Sequence, residues 1–142
     1  METSKGKKRK NIAVYLPQIY SSYFSELRNS IEEVAKERGY RLVIFTCFGD
    51  ESIDSRAATN VRYDEGERSI FRIANTDVAD GVLMLYDAFA KNQYEEIYDL
   101  VLNRYRCPIV NFRTPMEIES DRIYNVYVDD KAAFADMIQH FI

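Results

Sequence analysis

Few residues in this chain of 142 are placed to do covalent or acid–base chemistry. His140 is the one histidine, and it falls in a helical stretch near the end of the sequence. An imidazole there is more often a half-exposed helix residue than a general base. Asp129 and Asp130 are adjacent carboxylates, but neighbours at a strand end point in different directions, which suits one ligand contact and one helix cap. Cys47 and Cys107 lie far apart, with no metal-ligand spacing and no orienting histidine or Asn/Asp beside them. No catalytic constellation, metal set or cofactor motif emerges. A second group has a different character: Tyr20, Tyr23, Phe24, Tyr86, Phe89, Arg113 and Asp129. Aromatic faces beside a guanidinium fork and a carboxylate acceptor suit small polar ligands such as sugars or nucleosides. With eleven tyrosines in the chain, some of these positions would be aromatic by chance.

The elements that must carry these residues can be read from periodicity. "NIAVYL" (11–16) is a short apolar strand, and Ser21 or Ser22 can cap the helix that follows. In that helix Phe24, Leu27, Ile31, Val34 and Ala35 recur at helical spacing until Gly39 stops it. "RLVIFTC" (41–47), "DGVLMLY" (80–86), "CPIVNF" (107–112) and "IYNVYV" (123–128) are four further strands. Residues 49–69 read as polar loop and "ERSIFRIA" (67–74) as the end of a shorter helix. Tyr94, Ile97, Tyr98, Val101, Leu102 and Tyr105 form the stripe of the next helix. Ala133, Phe134, Met137, Ile138 and Phe141 face inward from the last one.

Strands alternating with helices predict a three-layer α/β/α fold around a parallel five-stranded sheet of order 2-1-3-4-5. Ligands of such sheets sit beyond the carboxyl ends of the strands. That rule selects residues 17–23, 48–50, 86–89, 113–115 and 129–131, where the aromatic and polar set is concentrated.

Other chemistries of this architecture fit poorly. The corner "LPQIYSSYF" opens a helix and offers backbone N–H groups to an anion, but it lacks glycine. Neither GxGxxG nor GxxxxGK[ST] occurs, which argues against nucleotide or flavin phosphate. Asp87 ends the third strand as a phospho-acceptor would, yet Pro17, Gln18 and Ile19 stand where a magnesium-binding receiver needs carboxylates. Apolar residues make up 46% and charged residues 30%, a composition of folded domains rather than disorder. No apolar run reaches the length of a membrane span, and the basic start "METSKGKKRK" leads into no signal-peptide core. A cytoplasmic setting with reduced thiols is expected. The first ten residues carry five Lys/Arg and one Glu, so a net charge of −4 leaves −8 on the body. This leader (1–10) is expected to be a disordered, solvated tail. The acidic body interleaves no basic residues with aromatics and is not a nucleic-acid platform.

"IAVYLPQIYSSYFSELRNSIEEVAKERGYRLVIF", "VADGVLML", "CPIVNFR" and "VYVDDKAAFADMIQHFI" resemble, in order, landmarks of the effector-binding module of LacI/GalR repressors and periplasmic sugar-binding proteins. The resemblance runs over nearly all of the chain from residue 11. It implies that 11–142 is the N-terminal lobe of a two-lobed, clamp-like sensor, cut before its second lobe. It implies a ligand cleft lined by Tyr20, Ser21, Tyr23, Phe24, Asp87, Arg113 and Asp129, without catalytic residue, cofactor or metal. Three features depart from the pattern: residues 49–69 are longer than usual, Asp130 replaces a frequent Asn, and Tyr23 replaces a frequent Pro. Such lobes are also similar to sensory front ends of bacterial signalling proteins, including diguanylate cyclases with a GGDEF output. The expected function is therefore a small-molecule sensor that drives an output domain and assembles as a homo-oligomer, with no membrane partner. The alternatives are a dimerisation module of the same fold, a fragment of a LacI-type transcriptional regulator, and a flavodoxin-like or receiver-like protein.

Overall fold

The computed structural model describes residues 9–16, 22–46, 66, 69–73, 76–85, 91–113, 118 and 120–141. Its strands are β1 (Asn11–Tyr15), β2 (Arg41–Phe45), β3 (Gly81–Met84), β4 (Ile109–Phe112) and β5 (Ile123–Val126). They form one sheet of order β2-β1-β3-β4-β5, with every pair parallel, as the alternating pattern predicts. The helices whose bounds are described are α1 (Ser22–Arg38), α2 (Lys91–Arg104) and α3 (Asp130–His140).

Two apolar clusters occupy the two sides of the sheet. On one side Phe24, Leu27 and Ile31 of α1 pack over Val14, Leu16 and Leu85. On the other, Ile97, Leu100 and Val101 of α2 pack over Ala13, Tyr15, Val82, Met84 and Ile109, with Phe71 and Tyr105 among them. Both faces of the central strands are thereby covered, which a parallel sheet requires because its strands are apolar on both sides. Period-2 alternation explains the division: Ala13 and Tyr15 face α2 while Val14 and Leu16 face α1.

Gly39 ends α1 with φ of 70°, a left-handed conformation that a Cβ disfavours. It lets the Tyr40 N–H reach the Ala35 carbonyl at 2.8 Å and the Gly39 N–H reach that of Lys36 at 3.2 Å, a Schellman close. At the start of β1, Asn11 and Asp80 bond reciprocally. The Asn11 N–H donates to Asp80 Oδ2 and the Asp80 N–H to the Asn11 carbonyl, each at 2.8 Å. The turn entering β3 is thus fastened to β1.

Three expectations need correction. Within 67–74, expected to end an α-helix, Ser69–Ile73 form a short 3-10 turn rather than α-helix, with the α-helical Gly66 before them; only Phe71 of the turn is buried. One buried anchor fixes a single tight turn and gives no apolar stripe to extend it. Val34 does not join the α1 stripe and is 54% exposed, because Ala35 is the residue α1 turns toward the sheet at that level. Most consequentially, Ala133, Phe134, Met137, Ile138 and Phe141 do not face inward. No residue of α3 is buried. An amphipathic stripe records which side is apolar, but not whether the fold offers a surface to receive it.

Candidate functional site

The site begins at the carboxyl end of β4. Arg113 directly follows the strand, and its backbone N–H donates to the Val126 carbonyl of β5 at 2.9 Å. Its φ of 87° lies in the left-handed region, where a side chain with a Cβ costs on the order of 1–2 kcal/mol. Strain of this kind persists only where the surroundings hold it, and it is concentrated at binding and switch positions. Here it carries the side chain back across the sheet edge. The Arg113 guanidinium carbon lies 5.7 Å from the centroid of the Tyr23 ring.

Tyr23 stands in the first turn of α1, and its ring meets Phe24 edge-to-face, with centroids 5.4 Å apart and planes at 70°. Phe24 packs onto the cluster of Val14, Leu16 and Leu85. The three side chains therefore form a graded stack: Phe24 anchored in the core, Tyr23 half exposed on it, and Arg113 at the outer surface. Such a surface offers a π-face, a phenolic hydroxyl and a guanidinium fork within one small area. A ring with hydroxyls can lie against it and accept from the fork.

Asp129 lies three residues beyond β5 on the same edge. Its Oδ1 accepts from the Ala132 N–H at 2.9 Å, so the carboxylate caps α3. Of the sequence candidates, the structure brings Tyr23, Phe24 and Arg113 together and places Asp129 at a helix start. Tyr20, Ser21 and Asp87 lie outside the described residues.

Two polar features went unanticipated. Asn111, on β4 two residues before Arg113, is fully buried and donates through Nδ2 to Asn125 Oδ1 of β5 at 3.1 Å. Its signal in the sequence is an amide at an inward position of an otherwise apolar strand. Tyr15 and Tyr105 are also wholly buried, with hydroxyls 3.0 Å apart. Burial pushes both phenols above the ordinary tyrosine value; for Tyr15 the Tyr105 hydroxyl adds to the rise, whereas for Tyr105 the Tyr15 hydroxyl opposes it. Neither phenol is set up to act as a base or nucleophile near neutrality. The Cys107 thiol is likewise pushed up by burial.

A cavity of about 220 Å³ lies on the α2 side toward the amino ends of the strands, lined by Ala13, Val43, Phe45, Ile73, Val78 and Tyr105 among others. Its walls are almost entirely apolar and it is remote from Arg113, so it has nothing to orient a sugar. Among the described residues, no three His, Cys, Asp or Glu side chains are gathered to hold a metal, and no helix is long and apolar enough to cross a membrane.

No protein-family model matches the chain, and no curated protein matches it in sequence. Among solved structures it is similar to the LacI family transcriptional regulator CCPA from Weissella paramesenteroides with bound sucrose. The TM-score is 0.58 at 14% sequence identity, over 92% of this chain and 41% of that one. The chain thus spans about two fifths of that regulator's length, and over this span its parallel five-stranded α/β sheet has the fold of a LacI-like, periplasmic-binding-protein-like lobe.

Proposed function

We propose that this chain is the ligand-sensing lobe of a bacterial regulator, taking a small polyhydroxylated ligand of the sugar or nucleoside class at the carboxyl edge of its sheet. The observation that carries this reading is the strained Arg113 turned over the Tyr23 ring, which is itself seated on Phe24. The similar regulator holds sucrose, which favours a sugar. In this reading Arg113 donates to ligand hydroxyls, Tyr23 and Phe24 stack beneath the ring, and Asp129 accepts from the ligand's far side.

A clamp buries most of a small ligand between two lobes, so one lobe supplies roughly half of the contacts. Losing ~4 kcal/mol turns a micromolar ligand into a millimolar one, at ~1.4 kcal/mol per factor of ten. In the whole protein, closure around the ligand shifts an attached output domain, of GGDEF or DNA-binding type, by the difference in affinity between open and closed states. The oligomer transmits that shift, and the setting is cytoplasmic.

The test is amide chemical-shift mapping of this chain with sucrose, a panel of monosaccharides and a panel of nucleosides at millimolar concentration. Saturable shifts centred on Tyr23, Phe24, Arg113 and Asp129 are expected, and they should vanish in Arg113→Ala. Shifts confined to other surfaces, or none with any probe, would remove the ligand site and leave a dimerisation module of the same fold.

A further inference from the structure

The apolar cavity on the α2 side has a floor, a mouth and fixed walls. Ala13 and Tyr105 line it and are buried, so they form the floor. Val43, Ile73 and Val78 also line it but are 43%, 67% and 49% exposed, which places them at the mouth. Ile73 ends the 3-10 turn Ser69–Ile73, and Val78 ends a second one, Thr76–Val78. Both turns are pinned to the fold. Phe71 of the first is buried in the core, and Arg104 Nη1 donates to the Arg72 carbonyl at 3.1 Å. In the second, the Val78 carbonyl accepts from Asn11 Nδ2 at 2.8 Å. Walls held in this way keep the cavity formed without a guest, as in most small-molecule sites.

The lining also sets the chemistry of a guest. Among the described residues that line the cavity, none is charged. Its polar side chains are engaged within the protein: Asn11 Nδ2 with the Val78 carbonyl, and the Tyr105 hydroxyl with that of Tyr15 at 3.0 Å. An ion or a sugar would find little there to replace its hydration. Water is also poorly held, because an ordered water needs several polar partners, and an apolar guest displaces it at a gain. Phe45 stacks on Tyr15 with centroids 5.0 Å apart, and Tyr105 meets the same ring edge-on at 6.2 Å. With Phe45 and Tyr105 in the lining, a planar ring extends this aromatic group. Benzene occupies an apolar cavity of about 150 Å³. The volume of about 220 Å³ has room for a fused bicycle.

We propose that this cavity is a second small-molecule site, which takes an uncharged, planar aromatic compound the size of indole. β2 and the two 3-10 turns frame its mouth, and the ring passes between them to settle against Phe45 and Tyr105. The site shares no residue with the Arg113–Tyr23 stack and selects by the opposite chemistry, so it does not rest on a sugar binding there. Only the folded chain brings these walls together, so occupancy stabilises the fold.

Indole titrated into the 142-residue chain, followed by amide chemical shifts and thermal unfolding, tests the site. Saturable shifts at Ala13, Val43, Ile73, Val78 and Tyr105 are expected up to millimolar indole, with a rise in Tm and no shift at Tyr23 or Arg113. Sucrose should leave the cavity amides unmoved. Val43→Trp sets a ring of the protein's own at the mouth and should abolish the indole shifts. Ile73→Glu brings a carboxylate against the guest and should weaken binding about tenfold or more, i.e. by ~1.4 kcal/mol. Ile73 is the most exposed of the three mouth residues, so this variant should keep the parent's circular dichroism even if Val43→Trp does not fold. Shifts that never saturate, shifts centred on other residues, or unchanged affinity in either folded variant would overturn the proposal.

Discussion

The hydroxyls of Tyr15 and Tyr105 meet 3.0 Å apart inside the core, joining the interior strand β1 to the segment that follows α2. Both residues are fully buried, and the Tyr15 ring also stacks on Phe45 with centroids 5.0 Å apart. Removing one hydroxyl strands the other. Tyr15→Phe and Tyr105→Phe should each cost about 1–3 kcal/mol, while the double variant should cost less than the sum because no polar group is left alone. Urea denaturation of the four proteins checks this. Strict additivity would show that the two hydroxyls do not depend on each other.

The same pair sets an alkaline limit on stability. Burial raises both phenols above the unfolded tyrosine value of about 10. An acid held protonated by the fold stabilises it fully below the unfolded pKa. That contribution is lost as pH rises beyond it, because the unfolded chain releases the proton first. Stability should therefore be level near neutrality and fall from about pH 10 upward. The fall should be shallower in the Tyr15→Phe/Tyr105→Phe double variant, as read from urea midpoints across that range.

Arg122 closes the carboxyl end of α2. Its guanidinium donates to the carbonyls of Tyr105 and Leu102, groups that the last helical turn leaves without partners. Hydrogen bonds from a charged donor contribute about 1.5–3 kcal/mol, so Arg122→Ala should lower stability by an amount in that range. Arg122→Lys should recover only part of it, since one ammonium cannot span two carbonyls as a fork does. Thermal unfolding of both variants decides the matter. Equal stability of the alanine variant and the parent would exclude the role.

At Arg113 stability and binding should move in opposite directions. Glycine at φ of 87° relieves ~1–2 kcal/mol of strain, against ~0.5–1 kcal/mol for an exposed cation–π contact. Arg113→Gly should therefore be at least as stable as the parent, and Arg113→Ala less stable. Both should lose the sugar-induced shifts. A glycine variant markedly less stable than the parent would mean that the arginine side chain holds the edge together.

Most of the architecture was legible because each strand of a parallel sheet is a compact apolar run and each intervening helix carries its own stripe. Strand order followed from crossover rules, and Gly39 marked the close of α1 unaided. The candidate site was legible only in part. Tyr23, Phe24 and Arg113 stand directly after strands or at a helix start, where topology alone brings them to one edge. The Tyr15–Tyr105 contact could not be read, since nothing local joins residues so far apart in sequence. The amide at Asn111 was hidden within an apolar run. The exposure of α3 escaped for a different reason: its stripe is genuine, and its partner is not supplied by the β-strand before it.

The facing amides of Asn111 and Asn125 act as a key for strand alignment. β4 and β5 have four residues each, and a short apolar ladder discriminates weakly between neighbouring registers. Slipping by one residue would set Asn111 against Tyr124 or Val126, whose side chains belong to the opposite face. A slip of two would oppose it to Ile123 or Tyr127. Either way a fully buried amide loses this partner, at about 1–3 kcal/mol, a penalty that an exchange of one aliphatic contact for another would not impose. The polar pair thus fixes which backbone group of β5 stands opposite Arg113, and with it the angle at which that arginine leaves the sheet.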